Sequence, residues 1–182
     1  LDENEQLVLG LAAEPAEHLA TLTAPDGSVY EEARIAATIM RSLARHLRSY
    51  GGAMMVIDYG YAHSAFGDTW QALTAHAYVD PLHRPGEADL TSHVDFTRLG
   101  AAAQAGGAVI APVLTQRDLL LRLGLEARLQ QLVRGNPDRS YDITKACLRL
   151  IDNTSPQAMG QLFKALALSH PEFGPLPAFD PP

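Results

Sequence analysis

The feature that most constrains the fold is an amphipathic helix followed at once by an apolar strand. Apolar residues recur at helical spacing, which predicts a helix over residues 31 to 48. Gly51-Gly52 then ends this helix, and residues 53 to 57 form a continuous apolar run. A strand without polar alternation is typical of a parallel sheet covered by helices on both faces. The pattern predicts an α/β fold in which Asp58 follows a buried strand.

Composition narrows the classes of function. The chain has 182 residues, 47% of them apolar, and a formal net charge of −7, which argues against nucleic-acid binding because that needs a broad basic surface. No apolar run reaches the roughly 18 residues of a membrane span, so we expect no membrane insertion. One cysteine, Cys147, and an arginine-rich set of basic residues are typical of a bacterial cytoplasmic protein.

The pattern of the first 95 residues predicts a strand, a hairpin and a long functional loop. Residues 7 to 11 have the pattern of a short strand, and a Pro-Asp-Gly-Ser turn favours a hairpin between residues 18 to 23 and 28 to 32. Residues 61 to 95 lack regular periodicity but are rich in His, Asp and Glu. A stretch this long without elements is typical of a lid or binding loop.

The remaining residues predict mostly helices. Asp95 is expected to cap a helix reaching residue 105, and Thr115 to cap another. The other expected elements are a strand at 108 to 114, helices at 125 to 133 and 141 to 150, and a last helix opening at Ser155-Pro156. Residues 1 to 170 form the expected domain part, and the Pro-rich tail 171 to 182 is expected to be extended or disordered.

Several sequence blocks resemble one known family in order and spacing. They are VIDYGY at residues 56 to 61, PGEADLTSHVDF at 85 to 96 and MGQLFK at 159 to 164. The second is the most specific, and the chain resembles the MidA-type methyltransferases over nearly its whole length. Trp70 departs from the leucine expected there.

The resemblance implies the carboxyl-terminal half of a Rossmann-like class I methyltransferase with a mixed sheet and additional carboxyl-terminal helices. S-adenosylmethionine would be the methyl donor, and its binding motifs, Gly-Pro-Gly and Asn-Glu followed by Asp-Ala-Leu-Pro, are expected upstream of Leu1. We therefore expect Leu1 to lie inside a parent domain and the chain alone to be inactive.

The resemblance also implies a partner and a compartment. Mitochondrial members of the family dimethylate an arginine on a core subunit of respiratory complex I, so the expected acceptor is a protein, such as that subunit or a homologue. The expected compartment is the bacterial cytoplasm, or the mitochondrial matrix in a eukaryote, and a homodimer is one candidate assembly. A non-catalytic protein-binding or assembly-factor module that retains the fold is the alternative function.

Candidate site residues are acids and histidines, since a protonated guanidinium binds carboxylates in planar, bidentate geometry. The expected catalytic residues are Asp58, Asp89 and His93. The expected acceptor-binding residues are Tyr59, His76, Glu87, Thr91 and Asp95. Asp89, Thr91, His93 and Asp95 alternate in sequence, so an extended segment would present them on one face.

Five of these candidates also have a purely structural interpretation. Asp58 could bind the backbone of a turn, Tyr59 could be a packing residue, and Asp95 could serve only as a helix cap. His93 could bond a backbone group, and His76 could either transfer a proton or orient the loop. Histidines and acids crowd this region, but no metal-binding motif is present and no metal site is expected.

Overall fold

The structure is a computed structural model that describes residues 1 to 179. It divides into two compact units: the first unit comprises Leu1–Glu32 and Ala65–His93, and the second comprises Ala33–Ser64 and the described residues from Val94 onward. The α-helices are α1 (Arg34–Tyr50), α2 (Phe96–Ala105), α3 (Gln116–Arg122), α4 (Leu125–Gly135), α5 (Ser140–Leu150) and α6 (Met159–Leu162). The strands are β1 (Ala53–Tyr61), β2 (Gln71–Thr74), β3 (Ala77–Val79), β4 (Asp89–Thr91), β5 (Val94–Asp95), β6 (Val109–Ile110), β7 (Leu114–Thr115) and β8 (Phe163–Ser169).

The second unit is built on a mixed five-stranded sheet. Its order is β5-β1-β8-β6, and β7 also pairs with β8. Strand β8 runs antiparallel to its three neighbours, whereas β1 and β5 are parallel. The predicted α/β class and mixed sheet are therefore confirmed.

Helices α1 and α2 pack together above the core of this unit. A Cβ atom at Gly106 would lie 2.5 Å from the Cβ of Ala44, so the helices approach more closely than any larger residue would allow. Phe96 of α2 and Leu166 and Leu168 of β8 are fully buried in this core. This packing holds β8 at the centre of the sheet.

The strand buried on both faces is β8, not β1. In β1 the side chains of Met55 and Ile57 are about half exposed, so the expectation that residues 53 to 57 are buried on both faces is wrong. The expected final helix from Ser155-Pro156 is also wrong, because a turn and the short α6 lead directly into β8. Alanine and leucine favour a helix locally, but pairing with three strands decides the outcome.

The first unit contains a small antiparallel sheet of order β3-β2-β4. The expectation of a long loop without elements over residues 61 to 95 is therefore wrong. The strands are three or four residues long, too short for periodicity to reveal them.

The strand expected at residues 7 to 11 and the hairpin ending at residue 32 are not formed. Leu7, Leu9 and Leu11 are exposed, and no strand in the described part of the chain pairs with them. A strand needs a partner for its backbone groups, so the apolar pattern is not sufficient.

The helix predictions agree best with the structure. Helices α1, α2, α3, α4 and α5 lie where the sequence placed them, and the expected strand at 108 to 114 appears as the separate β6 and β7. Asp95 accepts a hydrogen bond from the Arg98 N–H at 3.0 Å, and Thr115 accepts one from the Asp118 N–H at 3.1 Å, confirming both caps.

The proline-rich tail is anchored at Phe179. Its side chain is buried in a small cluster with Leu114, Leu119 and Ala165. The structure describes the tail up to this residue, and residues 180 to 182 lie outside the described part of the chain. None of the helices formed by residues 1 to 179 is long and apolar enough to span a membrane.

Candidate functional site

The second unit places Asp58 and Tyr59 near the carboxyl end of β1. The strand continues to Tyr61, so Asp58 lies within it, opposite Lys164 of β8, instead of following it. The Tyr59 N–H donates to Asp58 Oδ1 at 2.8 Å. This bond is local, but it lies within β1 instead of in a turn after the strand, and it uses only one of the two carboxylate oxygens.

Tyr59 contacts the neighbouring strand through its ring. The rings of Tyr59 and Phe163 meet edge to face, with centroids 5.7 Å apart and planes at 89°. Such a contact stabilises an aromatic pair and limits ring movement. The orientation of Tyr59 is thus set by the start of β8.

Gly60 allows the parallel strand β5 to approach the end of β1. A Cβ atom at this position would lie 2.1 Å from the carbonyl oxygen of Val94. The pairs Gly60–Val94 and Tyr61–Asp95 form at this point. The Asp-Tyr-Gly sequence therefore has a definite structural requirement for its glycine.

Asp95 is occupied by structural bonds. Its Oδ1 caps α2, and its Oδ2 accepts a hydrogen bond from the Ser64 hydroxyl at 2.6 Å. The nearby Thr97 hydroxyl donates to the Ala62 carbonyl at 2.6 Å. These bonds fix the loop after β1 to the start of α2 and favour the helix-cap interpretation of Asp95.

In the first unit, His76, Glu87 and Asp89 line one cavity of about 440 Å³. Thr91 lies on β4 two residues beyond Asp89, so the two side chains share a face of that strand. Glu87 also forms an exposed ion pair with Arg84 at 3.2 Å. Sequence analysis selected these residues separately, and the fold brings three of them to one cavity.

The backbone at His76 is in an uncommon conformation. Ala75 and His76 form the two-residue loop between β2 and β3 with φ angles of 47° and 65°. A hairpin loop with two positive φ angles favours Asn-Gly, and other residues there are strained by about 1 kcal/mol or more. Such strain often accompanies functional sites, which is consistent with a role for His76.

His93 is held by residues that sequence analysis did not select. The His93 N–H donates to Thr69 Oγ1 at 2.9 Å. The Glu31 carboxylate accepts the Thr69 N–H at 2.8 Å and also the Thr69 hydroxyl. Thr69 belongs to Gly67-Asp68-Thr69, a short segment that also resembles the MidA-type family, whereas no local pattern marks Glu31.

The alternating residues 89 to 95 are not one strand. Strand β4 ends at Thr91, and β5 begins at Val94 and belongs to the second unit. The expectation that Asp89, Thr91, His93 and Asp95 alternate along one extended segment is wrong, because the backbone of His93 bonds a side chain instead of a strand.

Comparisons with known proteins identify the family to which the chain is related. Residues 3 to 113 match the profile of a family of S-adenosyl-L-methionine-dependent methyltransferases. The chain belongs to this family. The predicted MidA-type resemblance is confirmed.

Relatives in animals carry the name of a specific methyltransferase. The mitochondrial protein arginine methyltransferase NDUFAF7 of Xenopus laevis is 36% identical over 133 residues, which cover 71% of this chain and 29% of that protein. The protein of the same name from Homo sapiens is 33% identical over 134 residues, covering 73% of this chain and 30% of its own length.

A solved structure matches almost the whole chain. It is a COG1565 superfamily member from Burkholderia thailandensis bound to S-adenosyl-homocysteine, with a TM-score of 0.78 and 29% identity. The match covers 92% of this chain and 44% of that one. The chain thus spans less than half of the length of these relatives. The structural match confirms its Rossmann-like architecture.

Proposed function

We propose that the chain supplies the acceptor-side part of an S-adenosylmethionine-dependent methyltransferase that modifies a protein arginine. The observation that carries the proposal is the match of 92% of the chain to a structure that holds S-adenosyl-homocysteine, the demethylated donor. The relatives named as protein arginine methyltransferases support arginine as the acceptor.

The acidic cavity of the first unit is suited to a guanidinium. Glu87 and Asp89 present carboxylates, and His76 adds an imidazole to the same lining. A guanidinium donates planar pairs of hydrogen bonds that two carboxylate oxygens can accept together. We propose that this cavity binds the acceptor side chain, with Thr91 adding a hydroxyl on the face of Asp89.

The remaining proposed roles concern the methyl transfer itself, with Asp58 and Tyr59 in the second unit and Asp89 and His93 in the first. The donor provides an electrophilic methyl on a sulfonium; a new C–N bond forms while the C–S bond breaks with its electron pair passing to sulfur. The attacking nitrogen must lose one proton, and Asp58, Asp89 and His93 are the proposed groups that align it or take that proton. Tyr59 is proposed to border the acceptor, and we assign no donor-binding residue to this chain.

Complementation tests the activity. The chain would be mixed with the complementary segment of the Burkholderia thailandensis relative and with tritiated S-adenosylmethionine and arginine-containing peptides. We expect label in methylated arginine of the acid hydrolysate, and a loss of about a hundredfold or more in Asp58→Asn and Asp89→Asn variants. Glu172→Gln, an exposed acid in the tail, is the matched control. Label in lysine or in carboxyl groups would contradict the arginine assignment.

A protein-binding module remains the second candidate because β1 has an open edge. In the described residues, β1 pairs with β8 along Ala53 to Tyr59, but its other edge is paired only at Gly60 and Tyr61. Exposed Met55 and Ile57 lie along this strand. Hydrogen exchange of β1 in the same mixture tests this: protection without methyl transfer would favour the module.

The acceptor protein, the oligomeric assembly and the cellular compartment are also part of the proposal. A subunit of respiratory complex I or a homologue is the proposed acceptor protein, and a homodimer is the proposed assembly to be examined by sedimentation. The names of the animal relatives favour the mitochondrial matrix for a eukaryotic source, and the cytoplasm is proposed for a bacterial one.

A further inference from the structure

Lys164 is a charged residue buried in an apolar strand. It is the one charged side chain of β8, and only 8% of its surface is exposed. The next residues, Ala165 and Leu166, have no exposed surface. An ammonium group in such surroundings is costly unless its hydrogen-bond donors are all satisfied.

The donors of Lys164 are satisfied by main-chain carbonyl groups. Its Nζ donates to the carbonyl oxygen of Gly60 at 3.1 Å, to that of Leu162 at 3.2 Å, and to that of Gln161. An ammonium has three N–H groups, so three acceptors use all of them. Each acceptor is a backbone oxygen.

The three carbonyl groups come from two places in the second unit. Gln161 and Leu162 are the last two residues of α6, where carbonyl groups lack intrahelical donors. Gly60 lies near the carboxyl end of β1, more than a hundred residues earlier in the chain. One side chain therefore connects the end of α6 to the end of β1.

An apolar residue would fill the position of Lys164 with less loss of solvation. Replacing buried charges by well-packed apolar residues is often neutral or stabilising, so stability alone is a weak reason for a lysine here. What an apolar residue cannot do is fix the position of the Gly60 carbonyl. Tyr59 directly precedes Gly60, and its ring contacts Phe163, the residue before Lys164.

We infer that Lys164 is a positioning residue that holds the β1 segment carrying Asp58 and Tyr59 in place by binding the Gly60 carbonyl. The importance of that segment rests on the proposed function, but the inference about its position does not. Lys164 acts through the backbone of Gly60, whose carbonyl it binds.

The first test uses the two lysines of the chain, Lys145 and Lys164. In protein labelled with ¹³C and ¹⁵N, the ammonium of Lys164 is expected to exchange its protons slowly enough to give a side-chain signal with coupling to the Gly60 carbonyl carbon. Lys145, which lies over the Tyr141 ring with Nζ 6.0 Å from its centroid, is the internal comparison. Lys145→Met assigns the signals.

The second test measures hydrogen exchange at the strand pairs Gly60–Val94 and Tyr61–Asp95. In Lys164→Met these amides are expected to exchange about tenfold faster or more, because the local opening free energy falls. Leu168→Ala, in the same strand, is the matched control for a general loss of stability. After correction for the measured global stability, only Lys164→Met is expected to show the excess at these pairs.

Two results would overturn the inference. One is equal exchange at these pairs in Lys164→Met and Leu168→Ala at matched stability, and the other is the absence of a slowly exchanging Lys164 signal in the unaltered chain. If Lys164→Met does not fold, the ammonium signal decides alone. Neither experiment includes a methyl donor or acceptor, so a failure of methyl transfer would leave both readouts unchanged.

Discussion

Gly60 and Val94 are so close that one methyl group would separate the two strands that contain them. The distance from a Cβ at residue 60 to the Val94 carbonyl oxygen would be 2.1 Å, and the obstacle is backbone, which cannot move aside like a flexible side chain. The parallel pairing of β1 with β5 therefore depends on glycine.

Gly60→Ala is expected to lower the free energy of unfolding by about 3 kcal/mol, or to abolish the β1–β5 pairing. Urea unfolding and hydrogen exchange at Tyr61 measure the two effects. Gly135→Ala is the matched control in the same unit, because no atom lies within 4 Å of its added Cβ and its φ is not positive. A Gly60→Ala protein as stable as this control would contradict the described approach.

Thr69→Val is expected to remove the hydrogen bond that Thr69 accepts from the His93 N–H in the first unit. The substitution removes the hydroxyl that accepts the His93 N–H and donates to Glu31, and the loss is about 1 to 2 kcal/mol because two hydrogen bonds between partly buried groups are broken. Thermal unfolding and the ¹⁵N shift of the His93 amide provide the measurements. Thr69→Ser keeps the hydroxyl and should restore both, and its failure to do so would indicate that the methyl group matters instead.

Ala75→Asn is expected to stabilise the hairpin of β2 and β3 by about 1 kcal/mol. Residue 75 has φ of 47°, a conformation that asparagine adopts more readily than alanine. Ala77→Asn, in the adjoining strand, has no positive φ to relieve and should be neutral or destabilising. Equal stability changes in the two variants, measured by urea unfolding, would show that the loop stores no strain.

The ammonium of Lys164 is expected to titrate below the usual range of a lysine in a pH series of its signal. Burial lowers the pKa of Lys164 from its usual 10.5 because the charged form is poorly solvated. The folded chain then releases this proton more readily than the unfolded chain, so the contribution of Lys164 to stability rises with pH between the folded pKa and 10.5. A thermal unfolding difference between the unaltered chain and Lys164→Met that is flat over this range would contradict the expected direction.

The sequence predicts the residue types of the proposed site better than it predicts their arrangement. The acids and histidines of residues 76 to 93 were recognised because guanidinium chemistry requires carboxylates. Their cavity was not, because β2, β3 and β4 are too short to leave a periodic signal. Glu31 could not be selected at all, since its hydrogen bonds to Thr69 join residues 38 positions apart.

What the sequence by itself determined is local: helices α1 to α5, the caps at Asp95 and Thr115, and membership of a methyltransferase family. These follow from side-chain periodicity, capping chemistry and ordered motifs within a few residues of each other. Only the tertiary structure decided that residues 163 to 169 form the central strand and that Lys164 binds the Gly60 carbonyl. A helix forms its backbone hydrogen bonds within one segment. A strand and a buried ammonium need hydrogen-bond partners that lie far along the chain.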